Sequence, residues 1–290
     1  MPVSTAALLL SLVAATAAQA TAAPPAEPPP GLDRPRLERF LQGGDRELVA
    51  QSFRRHRGEV LAFVDHYLES NLKRLEEGAT EAEALEGFRT GVKFATVASE
   101  AFKDPIFLEY AANFASWTPP ERANFRAGQK AFREGMKLLK AGSAAEAATS
   151  FDASYTLASD LGDAWGMAMA LDGGARAKAA QGLHQEASGM ARDCADRYAR
   201  LCMDRDEIDM WILAGAEGAA AGFPETQMGY LREAAAKVQR SDPTELKLQI
   251  GVPLVAALEK AGRKEEAAVY RRQLGVPEAT TEKPAPPAAK

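Results

Sequence analysis

The strongest constraint in this chain is a spacing of glycines. Gly142, Gly182, Gly222 and Gly262 each stand 40 positions from the next. Three of them open the same phrase: Gly142-Ser-Ala-Ala-Glu146-Ala147, Gly182-Leu-His-Gln-Glu186-Ala187 and Gly262-Arg-Lys-Glu-Glu266-Ala267. After Gly222 the Glu-Ala pair is replaced by Thr226-Gln227. One helical unit of this length cannot bury its apolar face alone, so a fixed period predicts units stacked into a solenoid.

Composition agrees with such an array. Hydrophobic residues make up 46% of the 290, with alanine the largest share, and aromatic residues only 7%. A core of this kind requires helices that approach closely over small side chains. No sustained apolar/polar alternation and no Asn-Gly hairpin signal predicts a strand. The net charge of −5 lacks the basic footprint of a nucleic-acid binder, so no nucleic-acid partner is expected. Cys194 and Cys202, if on one continuous helix, lie about 12 Å apart along its axis, beyond disulfide reach. A bridge would require the helix to end between them, and buried free thiols are the simpler expectation.

The ends read differently from the middle. Residues 1–20 carry no charged side chain, Ala6 to Ala18 has the length and character of a signal-peptide h-region, and Ala18-Gln19-Ala20 forms a cleavage signal. Export to a periplasm or to the outside is therefore expected, with no membrane span left after cleavage. Residues 21–35 form a Pro/Ala-rich linker and 276–290 a tail of similar flavour, both expected to be disordered. Between them, 36–118 is expected to be an N-terminal helical region and 119–275 the repeat array.

Helix punctuation is frequent. Thr80-Glu-Ala-Glu83 and Ser143-Ala-Ala-Glu146 have the capping-box pattern, and Thr118-Pro119-Pro120-Glu121 adds proline in a first turn. Asp104-Pro105, Asp204-Arg-Asp-Glu207 and Asp242-Pro243-Thr244-Glu245 are further starts. These signals predict thirteen helices between 36 and 274, the eleventh over 224–240. From 119 onward the helices pair off, with a repeating glycine supplying the left-handed residue at the tight turn inside each pair.

In these pairs the chain resembles the tetratricopeptide repeat family. Ala147, Phe151 and Ser154 carry that family's second-helix pattern, followed by Ala187, Ala191 and Cys194, then Gln227, Leu231 and Ala234. Trp211 with Gly215 and Leu171 with Ala175 suit its first helix. The pattern fades at Ala267, Arg271 and Leu274, where Arg271 is expected to face solvent on a polar terminal helix. Ala84, Phe88 and Gly91 suggest one degenerate repeat in the N-terminal region. The resemblance implies an all-α, right-handed α-solenoid of antiparallel helix pairs with an N-terminal helical cap. It also implies a concave groove lined by the first helix of each pair. Laid on this chain, the groove includes Phe132, Met136 and Lys140, then Met169, Asp172 and Arg176, then Asp209 and Ile212, and would take a protein or peptide. Asp172 and Arg176, at i and i+4, could equally pair with each other on a helix surface.

No catalytic motif appears: there is no G-x-S-x-G elbow, H-E-x-x-H or Walker loop. Gly173-Gly174 falls inside a helix with no strand to aim a phosphate at it, and suits close helix packing. His66, beside Asp65 and near Glu69, lacks the second Glu-x-x-His of a carboxylate-bridged site. His56 belongs to a short basic patch with Arg54, Arg55 and Arg57. No metal, no cofactor and no enzymatic activity are expected, and the sequence carries no signal of oligomeric state. The expected function is that of an exported binding scaffold. The alternative is a cell-envelope assembly or small-ligand (peptide or glycan) binding protein, with a pocket between the N-terminal helices and the first repeats. Export predicts that N-terminal sequencing of the native protein begins at Thr21; an intact Met1 or Pro2 would contradict it.

Overall fold

Thr80 and Glu83 exchange hydrogen bonds at a helix start, the hydroxyl accepting from the Glu83 amide and the carboxylate from the Thr80 amide. Glu121 similarly accepts from the amide and hydroxyl of Thr118. Such local signals mark where the chain divides into helices. The computed structural model describes residues 31–278, so the expected signal peptide, most of the linker and the last twelve residues lie outside the described residues.

Thirteen α-helices follow one another among the described residues. They are α1 (Arg34–Gln42), α2 (Arg46–Arg55), α3 (Val60–Glu76), α4 (Glu81–Phe102), α5 (Ile106–Ser116), α6 (Pro119–Lys140), α7 (Ala144–Leu161), α8 (Ala164–Ala180), α9 (His184–Arg200), α10 (Asp204–Ala220), α11 (Pro224–Lys237), α12 (Thr244–Lys260) and α13 (Lys264–Leu274). From α6 onward each packs on the next in sequence, giving an all-α, solenoid-like fold with no strand among the described residues. Gly142, Gly182, Gly222 and Gly262 occupy the turns α6–α7, α8–α9, α10–α11 and α12–α13, with φ of 83°, 75°, 86° and 75°. A side chain there meets open space, so the backbone conformation alone makes glycine the fitting residue.

Small residues set the helix spacing. A Cβ on Gly135 of α6 would lie 2.8 Å from the Phe151 ring, and one on Gly173 of α8 would overlap the same ring. Phe151, 1% exposed, therefore fills a space cleared by two neighbouring helices. Gly174 is likewise close-packed, against Met190. Ala147, Ala187 and Ala267, just past three of the turns, are fully buried, whereas Gln227, where the phrase breaks, keeps some exposure. A buried polar contact repeats with the same 40-residue shift. Ser154 Oγ donates to the Gly128 carbonyl (3.1 Å) and Cys194 Sγ to the Ala168 carbonyl (3.2 Å). Each uses the spare lone pair of a helical carbonyl to satisfy a side chain with no access to water.

Both cysteines are free and buried. Although α9 ends between them, Cys194 points to α8 and Cys202 sits at the α9–α10 turn, its Sγ directed at the Arg200 carbonyl. Cys202 has φ of 59°, and Gly162, 40 residues earlier, has 63°. The first two turns between pairs thus share the 40-residue spacing, with a side chain in the left-handed conformation at Cys202.

The N-terminal helices hold most of the aromatic core. Phe53, Phe63, Tyr67 and Phe94 form one cluster, with Phe63 and Phe94 edge-to-face at 4.9 Å. In α4, Ala84, Phe88 and Gly91 are buried, and a Cβ on Gly91 would meet Leu68 of α3 at 3.1 Å. Phe114, Trp117 and Phe125 stack at 4.3–5.2 Å to carry the core into the repeats, and Trp117 Nε1 donates to the Leu161 carbonyl at 3.1 Å.

Four local expectations change. Ser143 makes no side-chain cap. Arg271 does not face solvent: it turns onto α12 and pairs with Glu259 at 2.7 Å. The eleventh helix stops at Lys237, because Val238 is extended and Asp242 accepts from the Gln239 amide at 2.6 Å, closing a turn in front of Pro243. The first helix begins inside the expected linker, at Arg34, where Asp33 accepts from the Arg36 amide and Pro35 occupies the first turn.

Two glycine variants separate turn from packing effects. Gly222→Val should cost about 1–2 kcal/mol for the left-handed backbone alone. Gly173→Ala should cost about 1–3 kcal/mol by overpacking Phe151, and Phe151→Leu in the same chain should recover part of that loss. Denaturant unfolding of the three variants checks both; equal midpoints for Gly222→Val and wild type would contradict the first, and no recovery the second.

Candidate functional site

Apart from Lys140, the residues expected to line a groove fall at 40-residue offsets on α6, α8 and α10, and the structure gives them unequal roles. Phe132 packs on Phe151 at 5.7 Å and, with Met136, supports a small core including Ala147 and Ala177. Ile212 packs against the main core. These three serve packing as much as surface. Met169 is half-buried and Lys140 is exposed at the last turn of α6. Val252 on α12, in register with Phe132, Asp172 and Ile212, is 51% exposed and was not anticipated.

Asp172, Arg176 and Asp209 form part of one charged network. Arg176 Nε bonds Asp172 Oδ1 at 2.5 Å, so the i,i+4 pair does form, with both side chains about a quarter exposed. The pair does not stand alone on a helix surface. Tyr198 Oη of α9 donates to Asp172 Oδ2 at 3.4 Å, and the carboxylates of Asp206 and Asp209 on α10 approach from the next repeat. Burial works against the Arg176 charge, but Asp172 and Asp209 outweigh it and its pKa is raised. Burial, then the Asp172 and Asp209 charges, pushes Asp206 up to about 6. Asp209 is also raised, chiefly by burial, although Arg205 holds it at 3.3 Å.

The start of α10 shows how tertiary context distributes four consecutive charges. Asp204 pairs with Arg57 of the N-terminal region at 3.3 Å, and Arg205 with Asp209. Asp206 enters the network above. Glu207, 2% exposed, meets Lys237 of α11 at 2.8 Å. Read along the chain, these residues are only an acidic helix start. Tyr198 and Asp206 were missed because nothing local says which face of α9 or α10 meets α8.

A second polar group lies where the N-terminal helices meet the repeats. Arg126 of α6 pairs with Glu69 (3.0 Å) and Glu76 (2.7 Å) of α3, and Gln129 donates to Glu69 at 2.8 Å. Asp65, considered in the sequence only beside His66, accepts from Tyr110 of α5 instead. Among the described residues no group of three or more His, Cys, Asp or Glu is arranged to hold a metal ion. A cavity of about 170 Å³ lies away from both networks, against Gly31, Asp33, Arg36, Arg55 and His56. No helix of the described residues is long and apolar enough to cross a membrane.

The network around Arg176 generates a pH-dependent prediction. Arg176→Met keeps the aliphatic stem but removes the cation facing three carboxylates. The loss should be about 2 kcal/mol near neutrality, between the values for exposed and fully buried pairs. Without the cation the carboxylates hold protons to higher pH, so the loss should be smaller at low pH and grow as pH rises through 6. Thermal unfolding on either side of that pH checks the sign; an equal loss at both would contradict it.

The sequence matches no protein-family model and no curated protein. Among solved structures it is similar to the one titled "Crystal structure of BtubC (BKLC) from P. vanneervenii", at 14% identity and a TM-score of 0.38, over 88% of this chain and 98% of that chain.

Proposed function

We propose that this chain is an exported, non-enzymatic scaffold of tetratricopeptide-like repeats, and that it binds a protein or peptide along the face formed by α6, α8, α10 and α12. The observation that carries this reading is the convergence of Asp172, Arg176, Asp206 and Asp209 from two successive first helices of the repeats, with the exposed apolar Val252 at the position equivalent to Asp172 two repeats on. Apolar rungs would supply affinity and the charged network would fix the register of a bound segment. The excess of carboxylates over cations in that network favours a partner bearing lysine or arginine.

The alternative, a small ligand held between the N-terminal helices and the first repeats, has less support. The side chains there already satisfy one another, through Arg126, Gln129, Glu69 and Glu76. The 170 Å³ cavity against Asp33 and His56 lies elsewhere and is below the roughly 300 Å³ at which ligand pockets begin.

The test uses charge reversal rather than truncation of Phe132, whose loss would disturb Phe151. The mature chain carrying Asp209→Lys and Val252→Glu is compared with wild type in cross-linked capture from envelope or culture extracts. Lys93→Glu on α4 is the control for added charge elsewhere. Loss of about 2 kcal/mol or more of binding, some thirtyfold, is expected for the double variant. Capture by the double variant equal to wild type would overturn the proposed face.

A further inference from the structure

The N-terminal helices meet the repeats across a seam in which carboxylates outnumber cations. Asp65 and Glu69 come from α3, Tyr110 and Asn113 from α5, Arg126 and Gln129 from α6, and Asp163 from the α7–α8 turn. Tyr110 Oη donates to Asp65 Oδ1 at 2.5 Å. Asp163, 5% exposed, caps α8 by accepting from the Gly166 amide at 2.8 Å. One residue earlier, Gly162 takes a hydrogen bond from Asn113 through its carbonyl, and a Cβ there would overlap the Asn113 amide. The backbone at this turn is thus fitted against α5. His66, next to Asp65 on α3, lies edge-on to Tyr67 at 6.1 Å.

Arg126 is the cation whose charge reaches Asp65, and it is committed to Glu69 and Glu76. Nearly fully buried Asp163 and half-buried Asp65 therefore share the seam with Glu69, and the cation that reaches Asp65 is one already paired elsewhere. Ionising both aspartates there is costly, and coupled sites of this kind relieve the cost by retaining a proton.

We infer that the seam between the N-terminal helices and the repeats is a proton-stabilised contact centred on Asp65, closed at acidic pH and loosened as the pH rises through neutrality. Burial is the main cause that pushes Asp65 up to about 8, with Glu69 and Asp163 adding to it and Tyr110 and Arg126 opposing. Asp163 is pushed up to about 6, again chiefly by burial. In the opened seam both return towards the ordinary aspartate value of 3.8. Closing therefore takes up protons, and the contribution of these two carboxyls to the contact is largest below about 4, falls as the pH rises to about 8, and is constant above that. The Arg200–Asp104 pair at the edge of the same contact (2.9 Å) does not weaken over this range, because Arg200 holds the Asp104 pKa below its ordinary value. Opening would free Arg126 and Gln129 on α6, extending the exposed face of the first repeat.

The test is hydrogen exchange on the full chain, corrected for intrinsic rates, for wild type, Asp65→Asn and Tyr110→Phe. Asparagine is the neutral isostere of the protonated acid, and Tyr110→Phe keeps the ring while removing the bond that favours ionisation. In wild type the opening equilibrium of 106–117 should rise by up to about tenfold per pH unit between roughly 6 and 8 for one linked proton. Protection of α12, away from both carboxylate clusters, should stay nearly flat. Asp65→Asn should remove most of that rise, and Tyr110→Phe should move its midpoint to higher pH. The inference is overturned if Asp65→Asn keeps the wild-type pH dependence, if Tyr110→Phe leaves the midpoint unmoved, or if all helices lose protection together. Should Asp65→Asn fail to fold, Tyr110→Phe alone decides between these outcomes.

Discussion

The repeat array depends on helices approaching closely enough for one aromatic side chain to touch two of them. Phe151 fits only because Gly135 and Gly173 present no Cβ to its ring, and the buried alanines beyond the turns keep the same close spacing along the array. Packing over small residues brings helices close, so the positions of α6, α7 and α8 are fixed by hard sterics around one ring. It also explains how a chain with few aromatic residues builds a continuous core. Dispersion contacts between close backbones replace the large buried areas that phenylalanine and leucine supply elsewhere.

That economy is uneven. The N-terminal helices concentrate phenylalanine and tyrosine in one cluster, and the Phe114–Trp117–Phe125 stack joins this aromatic body to the alanine-rich repeats. At the joint the two kinds of packing meet, and polar groups become trapped between them. Asp65, Asp163 and the Arg126 network are the result, held in place by Tyr110, Gln129 and the backbone of the α7–α8 turn. The charged network of Asp172, Arg176, Asp206 and Asp209 arises similarly, where first helices of successive repeats converge. In both places a carboxylate is desolvated by a neighbouring element and shifts its proton affinity in response.

Legibility followed the range of the interactions. Helix starts at Thr80 and Thr118 were readable because capping is settled within four residues. Ser143 had the same pattern and did not cap, and Arg271, expected to face water, found Glu259 on the preceding helix. The Asp172–Arg176 pair was visible from its i,i+4 spacing. Its partners Tyr198 and Asp206 were not, since their proximity depends on how α9 and α10 rotate against α8. Phe132 was read as a surface anchor but leans into Phe151, because the glycine at 135 draws that ring towards α6.

By itself the sequence determined the helices, the 40-residue unit and the turns, because a glycine with positive φ, a cap and an apolar stripe each act over a few residues. The tertiary structure alone decided which charges became neighbours, which side chains left the surface, and which carboxylates were desolvated. Those outcomes depend on desolvation and on groups brought together from positions far apart in the chain. Asp65 with Tyr110 and Asp163, and Asp206 with Asp172, are such groups, and no local pattern encodes their distance.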